Sequence, residues 1–173
     1  MLPSDESQQI LAIDLGLRCG YSIYGADGRL RSYSSQQFAG IPQMRRTVAQ
    51  MLAAAAPLTW LFTEGDLQLA AIWEREAMRQ GIRVQRVSVD TWRDALLLPN
   101  ERRTAASARR QAGVLARRVI DWSGATAPAA LGHDAAAAIL IGLWAVQRLG
   151  WLEALPEAMG QVSRPGAVAR RQL

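Results

Sequence analysis

The sequence predicts an α/β fold in which one mixed sheet is flanked by helices. Three short strand-like segments come first, and strands then alternate with helices along the chain. An opening meander followed by such alternation favours a single sheet with helices packed on it. With 173 residues, half of them hydrophobic, the chain can build one domain with a sizeable core.

Five strands are predicted, at 9–15, 20–25, 28–35, 58–65 and 82–89. The first is an aliphatic run that ends at Asp14, and Asp27-Gly28 is a strong hairpin signal between the second and the third. The fourth, LTWLFTEG, is a short apolar run typical of a buried strand. The fifth alternates apolar and polar residues, as a half-buried strand does.

Five helices are predicted, at 41–56, 67–81, 90–96, 101–121 and 134–149. Pro57 ends the first and a glycine, Gly81, closes the second. Asp90 can cap the third, and Pro99-Asn100 introduces the fourth. The last helix is apolar on every side, which predicts that it is buried.

Three segments are expected along the chain: an N-terminal extension at 1–8, one folded domain at 9–152, and a basic tail at 153–173 that we expect to be flexible. No run of about 18 uncharged apolar residues predicts a membrane span, and the polar N-terminus does not resemble a signal peptide. A single cysteine excludes an internal disulfide and fits a reducing cytoplasm. With one histidine as well, zinc sites built from several His or Cys ligands are excluded.

All 20 basic residues are arginine, and the formal net charge is +5. Arginine binds phosphate through two parallel hydrogen bonds, so this composition suits a nucleic-acid partner. An alanine-rich chain without lysine can also reflect a GC-rich genome, so charge alone leaves both interpretations open.

Three acids stand at the ends of apolar elements: Asp14 after the first strand, Glu64 after the fourth, and Asp134 at the start of the last helix. Carboxylates that converge repel one another unless a cation lies among them. Hard divalent cations with oxygen ligands, Mg²⁺ above all, fit such a site and commonly serve phosphoryl transfer. Each acid also has a structural interpretation: a turn cap for Asp14, a solvated loop acid for Glu64, and a favourable helix-dipole position for Asp134.

The motif Asp14-Leu-Gly with Gly20, the strand-terminal Glu64 and the late HDAAAAI together resemble the RuvC-type Holliday-junction resolvases of the ribonuclease-H-like superfamily. Fifty residues separate Asp14 from Glu64 and seventy separate Glu64 from Asp134, which is similar to the layout of that family. The segment VSVDTWRDALLLPNERRTAASARRQA resembles its middle region. The resemblance implies a ribonuclease-H-like mixed five-stranded sheet flanked by helices.

The resemblance also implies an activity: a Mg²⁺-dependent endonuclease, with Mn²⁺ as a possible substitute, that hydrolyses Holliday junctions or other branched DNA. It implies that Asp14, Glu64 and Asp134 are the catalytic metal ligands, with no small-molecule cofactor. The family has a fourth acid three residues from another on the last helix, but Leu131 and Ala137 occupy those positions here. His133 is the nearest substitute and is included as a catalytic candidate, although it could be a plain helix-terminal residue.

Arginines recur along the predicted helix 101–121. Apolar residues at steps of three and four predict its buried stripe, namely Ala105, Ala108, Ala112, Leu115 and Val119. The candidate DNA contacts are Arg102, Arg103, Arg109, Arg110 and Arg117. The resemblance implies that a basic residue of this region assists at the scissile phosphate. Arg110 is the match, where relatives commonly have lysine.

Helix 67–81 is apolar over more than one stripe, and the family is dimeric through this region, so the resemblance implies a homodimer. Junction-resolving relatives often carry an aromatic residue shortly after the second acid, where this chain has Leu67. Two alternatives stay open: an RNA-processing nuclease similar to the YqgF-type relatives and, because the fourth acid is missing, a branched-DNA-binding protein whose active site has decayed. An actin-like ATPase is excluded because 173 residues cannot hold its two domains.

Overall fold

A computed structural model of the protein describes residues 7–160, in which one five-stranded sheet carries helices on both faces. The strands are β1 (Gln9–Leu15), β2 (Arg18–Gly25), β3 (Leu30–Gln37), β4 (Leu58–Gly65) and β5 (Arg83–Arg86). Their order across the sheet is β3-β2-β1-β4-β5. β1, β2 and β3 are antiparallel neighbours, whereas β4 runs parallel to β1 and β5 parallel to β4. The predicted α/β class, one mixed five-stranded sheet flanked by helices, is confirmed.

The five helices are α1 (Ile41–Ala54), α2 (Leu67–Arg79), α3 (Val89–Leu96), α4 (Ala105–Ser123) and α5 (His133–Arg148). The helices α1 and α2 pack on one face of the sheet, and α3, α4 and α5 pack on the other. No helix within residues 7–160 has the length and apolarity that a membrane crossing requires.

The alternation of side chains along β1 divides its residues between these two cores. Ile10 and Ala12 lie in the core beneath α3, α4 and α5, whereas Leu11 and Ile13 lie in the core beneath α1 and α2. Both faces are buried, which explains why the strand is apolar along its length. Asp14 continues the first set, so its carboxylate is on the face that α3, α4 and α5 cover.

The helix α5 lies unusually close to β2. The Ser22 hydroxyl donates a 2.6 Å hydrogen bond to the Ala138 carbonyl, and the Tyr24 hydroxyl donates one of 2.6 Å to the Ile139 carbonyl. Gly142 makes this approach possible, because a Cβ there would lie 2.6 Å from Tyr24 Cδ2 and 2.7 Å from Ser22 Oγ. The prediction that the last helix is buried is confirmed.

The predicted helix 101–121 begins later than expected. Its N-cap is Thr104, which forms a capping box with Ser107, and residues 101–104 form turns and bends. Ala105 is therefore exposed at the helix start and is not part of the buried stripe, whose other four predicted members are buried. Arg102 forms a 2.6 Å ion pair with Asp94, which holds the preceding turn against α3.

Several further boundaries differ from prediction: β2 begins two residues earlier and β3 lies two residues later than predicted, and the start of α3 and the extent of β5 also differ. Ser88, not Asp90, caps α3, because its hydroxyl accepts a hydrogen bond from the Thr91 N–H. The strand β5 has four residues instead of the eight predicted, since helix α3 already begins at Val89.

Part of the predicted C-terminal tail packs on α4. A short 3₁₀ helix, Glu157–Met159, buries Met159, and Arg118 Nη1 donates a 3.0 Å hydrogen bond to the Met159 carbonyl. The rest of the tail, residues 161–173, and most of the predicted extension, residues 1–6, lie outside the described residues.

Substitution of Gly142 by alanine tests the close packing of α5 on β2. We expect Gly142→Ala to lower the free energy of unfolding by about 1–3 kcal/mol, because the added methyl group overpacks against a buried tyrosine ring. Gly113→Ala is the matched control: it lies in α4 with nothing within 4 Å of an added Cβ. In the control, the free energy of unfolding measured with urea should rise by about 0.5–1 kcal/mol, because alanine is less flexible than glycine in the unfolded chain. Equal stability of the two variants would contradict the packing.

Candidate active site

Asp14 and Glu64 are direct neighbours at the carboxyl ends of two parallel strands. The β1–β4 register pairs Asp14 with Glu64 and Leu15 with Gly65. Both acids continue the set of side chains that faces α3, α4 and α5, because residues alternate along each strand. Gly65 closes β4 with φ 112°, and a Cβ there would press on the Leu15 carbonyl. The sheet thus fixes the two carboxylates side by side.

This arrangement perturbs the proton affinity of both acids. Burial raises the pKa of Asp14 to about 7, with further contributions from the negative charges of Glu64 and Asp134, while Arg93 opposes the rise. Burial also raises the pKa of Glu64 above its ordinary value, against the lowering effects of Arg93 and the Trp92 indole. The site therefore disfavours its own negative charges, as expected where carboxylates share a poorly solvated place without a cation.

Asp134 reaches this place because of a glycine in β2. Gly20 pairs with Asp14 across the β1–β2 ladder, and a Cβ on it would collide with the Asp134 backbone and lie 2.7 Å from the Ala135 nitrogen. The absence of a side chain lets the first turn of α5 contact the strand directly. The Asp134 carboxylate accepts a 2.8 Å charged hydrogen bond from Arg18 Nε.

Two basic residues of the site, Arg18 and Arg93, and one aromatic, Trp92, were not predicted. Trp92 is buried in α3, and its indole N–H faces Glu64 closely enough to lower the pKa of that acid, although the geometry falls short of a hydrogen bond. Arg93 follows it and is the cation whose charge acts on both Asp14 and Glu64. The sequence signal for both was the segment VDTWRD, which leads from β5 into a helix.

The chemistry of the donor set fits a hard divalent cation at Asp14 and Glu64. Both offer carboxylate oxygens, and their raised pKa values mean that a cation between them would relieve desolvation and like-charge repulsion. Asp134 is already engaged by Arg18. Within residues 7–160, no three His, Cys, Asp or Glu side chains are grouped so as to hold a metal ion.

Three further residues close to the acids in sequence, His133, Asp66 and Cys19, have local structural contacts or are exposed to solvent. His133 is the exposed first residue of α5, where it follows the N-cap Gly132. Asp66 is the N-cap of α2, since its carboxylate accepts hydrogen bonds from the N–H groups of Gln68 and Leu69. Cys19 is buried and donates to the Gly16 carbonyl.

The structure separates the predicted α4 arginines into two groups. Arg102 and Arg103 both precede the helix. Arg102 is paired with Asp94, whereas four others are exposed and form no ion pair with any residue of 7–160, namely Arg103, Arg109, Arg110 and Arg117. Arg117 lies near Tyr33 of β3. Burial raises the pKa of this tyrosine, and the positive charge of Arg117 offsets part of the rise. Arg110 is two turns earlier on the same side of the helix. These four exposed arginines form what we call the α4 arginine surface.

Comparisons with known proteins identify no family. No family model matches the chain, and no curated protein matches it significantly. Among solved structures, the catalytic core domain of BIV integrase aligns with 79% of this chain and 81% of its own, at 11% identity and a TM-score of 0.34. So low a score carries no argument about the activity of this chain.

The raised pKa of Asp14 predicts how stability varies with pH in the absence of divalent cations. Between about pH 4 and pH 7 folded Asp14 retains a proton that the unfolded chain loses, so this group makes stability fall as pH rises and level off above about 7. The variant Asp14→Asn cannot ionise at this position, so its stability does not fall with pH for this reason. We expect its stability relative to wild type to increase by about 2–3 kcal/mol between about pH 5 and pH 8.

The measurement is urea unfolding in EDTA across this pH range. Asp66→Asn is the control, because asparagine preserves the N-cap and removes a carboxylate close to Glu64 in the chain. A wild-type minus Asp14→Asn difference that does not change with pH would show that Asp14 is not perturbed as described.

Proposed function

We propose that the protein is a Mg²⁺-dependent endonuclease that hydrolyses branched DNA, such as four-way junctions, and acts as a homodimer. The observation that carries this proposal is the pair of carboxylates, Asp14 and Glu64, fixed in register and disfavouring their own charge. The resemblance to RuvC-type resolvases supplies the substrate class.

In this proposal Asp14 and Glu64 would hold the cation, and Asp134 would be a third ligand once it is free of Arg18. Bound Mg²⁺ supplies Lewis-acid stabilisation of charge at a phosphodiester. Glu64 orients the attacking water at the edge of the sheet. Arg93, which acts on both acids, is better placed than Arg110 to hold the scissile phosphate, and as an arginine it grips phosphate without donating its proton.

The α4 arginine surface supports contact with a nucleic-acid backbone. Three of its exposed guanidinium groups extend along the helix from Arg109 to Arg117, a rise of about 12 Å at 1.5 Å per residue, and Arg103 lies just before the N-cap. That length spans several phosphates of a duplex. Contacts of this kind position the substrate but do not read its sequence.

Helix α2 offers a surface for a second copy of the chain. Its predicted apolar residues divide into two sets: Leu69, Ala70, Trp73 and Ala77 are buried on the sheet, while Leu67, Ala71 and Met78 are exposed. Leu67 and Met78 are 65% and 59% exposed, and with Ala71 they lie within about 40° of one another around the helix. A two-fold dimer through this stripe would match the symmetry of a four-way junction.

A second candidate function is junction binding without cleavage. The ion pair between Arg18 and Asp134, together with Leu131 and Ala137 at the positions of the fourth acid, favours it. Cleavage assays distinguish the candidates, and matched RNA junctions test the RNA-processing alternative.

Asp14→Asn is expected to reduce cleavage of a labelled four-way DNA junction by at least about 100-fold with Mg²⁺, because a ligand of the cation is removed. Glu64→Gln should behave in the same way. Both variants should still bind the junction, as measured by fluorescence anisotropy.

Asp66→Asn is the matched control for these substitutions and should cleave at the wild-type rate, since Asp66 caps α2. Intact junctions, flaps and duplexes after incubation of wild type with Mg²⁺ or Mn²⁺ would refute the nuclease. Tight junction binding in that case would support the second candidate.

The α4 arginine surface predicts the salt dependence of DNA binding. The double variant Arg110→Ala, Arg117→Ala should reduce the slope of log K against log salt by about two, one for each phosphate that the protein no longer neutralises. The control is Arg45→Ala, Arg46→Ala, which removes two exposed arginines of α1 on the opposite face of the sheet. If both double variants change the slope equally, binding depends on net charge and not on α4.

A further inference from the structure

The Arg18–Asp134 ion pair lies beside the candidate active site. Arg18 is the first residue of β2, and its side chain is 59% exposed, whereas that of Asp134 is 27% exposed. The residues are 116 positions apart in the chain, so the pair forms only when α5 is seated on the sheet. Arg18 Nε is its donor, at 2.8 Å from Asp134 Oδ2.

Asp134 is therefore shared between two opposing influences. Its charge contributes to the raised pKa of Asp14, so it lies within electrostatic range of the two acids that fit a cation. At the same time its carboxylate neutralises an arginine. A divalent cation at Asp14 and Glu64 would attract the same carboxylate. Arg18 holds Oδ2, and its positive charge opposes a second cation at Oδ1, so the two partners compete for the group.

We propose that Arg18 competes with a divalent cation for Asp134, and that the guanidinium group released on cation binding then contacts a phosphate of the nucleic acid. The proposal rests on the proposed function and makes Arg18 a substrate-binding residue in it. The Arg18 side chain is long and more than half exposed, and it lies beside the carboxyl ends of β1 and β4. Its release from Asp134 therefore leaves a planar donor group facing solvent next to the site. Competition of this kind couples cation binding to substrate binding.

The first test measures the affinity for Mn²⁺ without nucleic acid, by isothermal titration calorimetry. Arg18→Gln should bind Mn²⁺ about two- to fivefold more tightly than wild type, which is the effect of removing a competing exposed ion pair. Arg18→Lys keeps the positive charge and should bind as wild type does. The control is Arg31→Gln, which breaks a comparably exposed pair with Asp27 in the β2–β3 hairpin and should leave the affinity unchanged.

The second test measures binding to a four-way junction with and without Ca²⁺, with the DNA recovered intact. Arg18→Gln should weaken binding in Ca²⁺ and reduce the salt slope by about one, but have little effect in EDTA, where Arg18 is held by Asp134. An equal weakening in both conditions would overturn the release step.

The outcomes separate this inference from the proposed function. If wild type and Arg18→Gln bind Mn²⁺ equally, competition is refuted while a metal-dependent nuclease stands. If neither binds Mn²⁺, both are refuted. Thermal unfolding midpoints of Arg18→Gln and Arg31→Gln that equal that of wild type would show that all three proteins are folded under the conditions of the assay.

Discussion

At Gly20 and Gly142, where β2 and α5 meet, neither backbone carries a side chain, and the helix therefore lies directly against the strand. The hydroxyl groups of Ser22 and Tyr24 complete this packing by binding carbonyls of the helix. The contribution of α5 to the candidate site depends on this packing, because the packing brings Asp134 to the end of β1. Larger residues at the two glycines would push the helix outward and separate the third acid from the first two.

The sheet and the helix together create an electrostatic imbalance. Asp14 and Glu64 are fixed side by side in partial burial, and Asp134 adds a third negative charge nearby, which explains the raised pKa of Asp14. Two guanidinium groups, those of Arg18 and Arg93, offset part of it. A cluster that tolerates such a cost is more typical of a binding or catalytic site than of a structural one. This reasoning supports the proposed cation site at Asp14 and Glu64.

How much the sequence could predict differs between the sheet and the site. The bounds of β1 and β4 were predicted as observed, because each is a continuous apolar run ended by an acid and a glycine. The start of α4 was misplaced because a capping box at Thr104 outweighed the helix propensity of the residues before it. Arg18 and Arg93 were missed because their importance arises from distant partners: the Arg18–Asp134 pair spans 116 positions. Local patterns indicate strands and caps, but not which side chains the packing of α5 and α3 brings to the sheet edge.

The central claim is that Asp14 and Glu64 hold a divalent cation. Anomalous diffraction from crystals containing Mn²⁺ tests it most directly, since the ion is located without reference to activity. The account predicts a peak between the two carboxylates, about 2–2.3 Å from an oxygen of each, with Asp134 turned from Arg18 towards the ion. A structure with Mn²⁺ at saturating concentration in which these carboxylates bind no ion would contradict it.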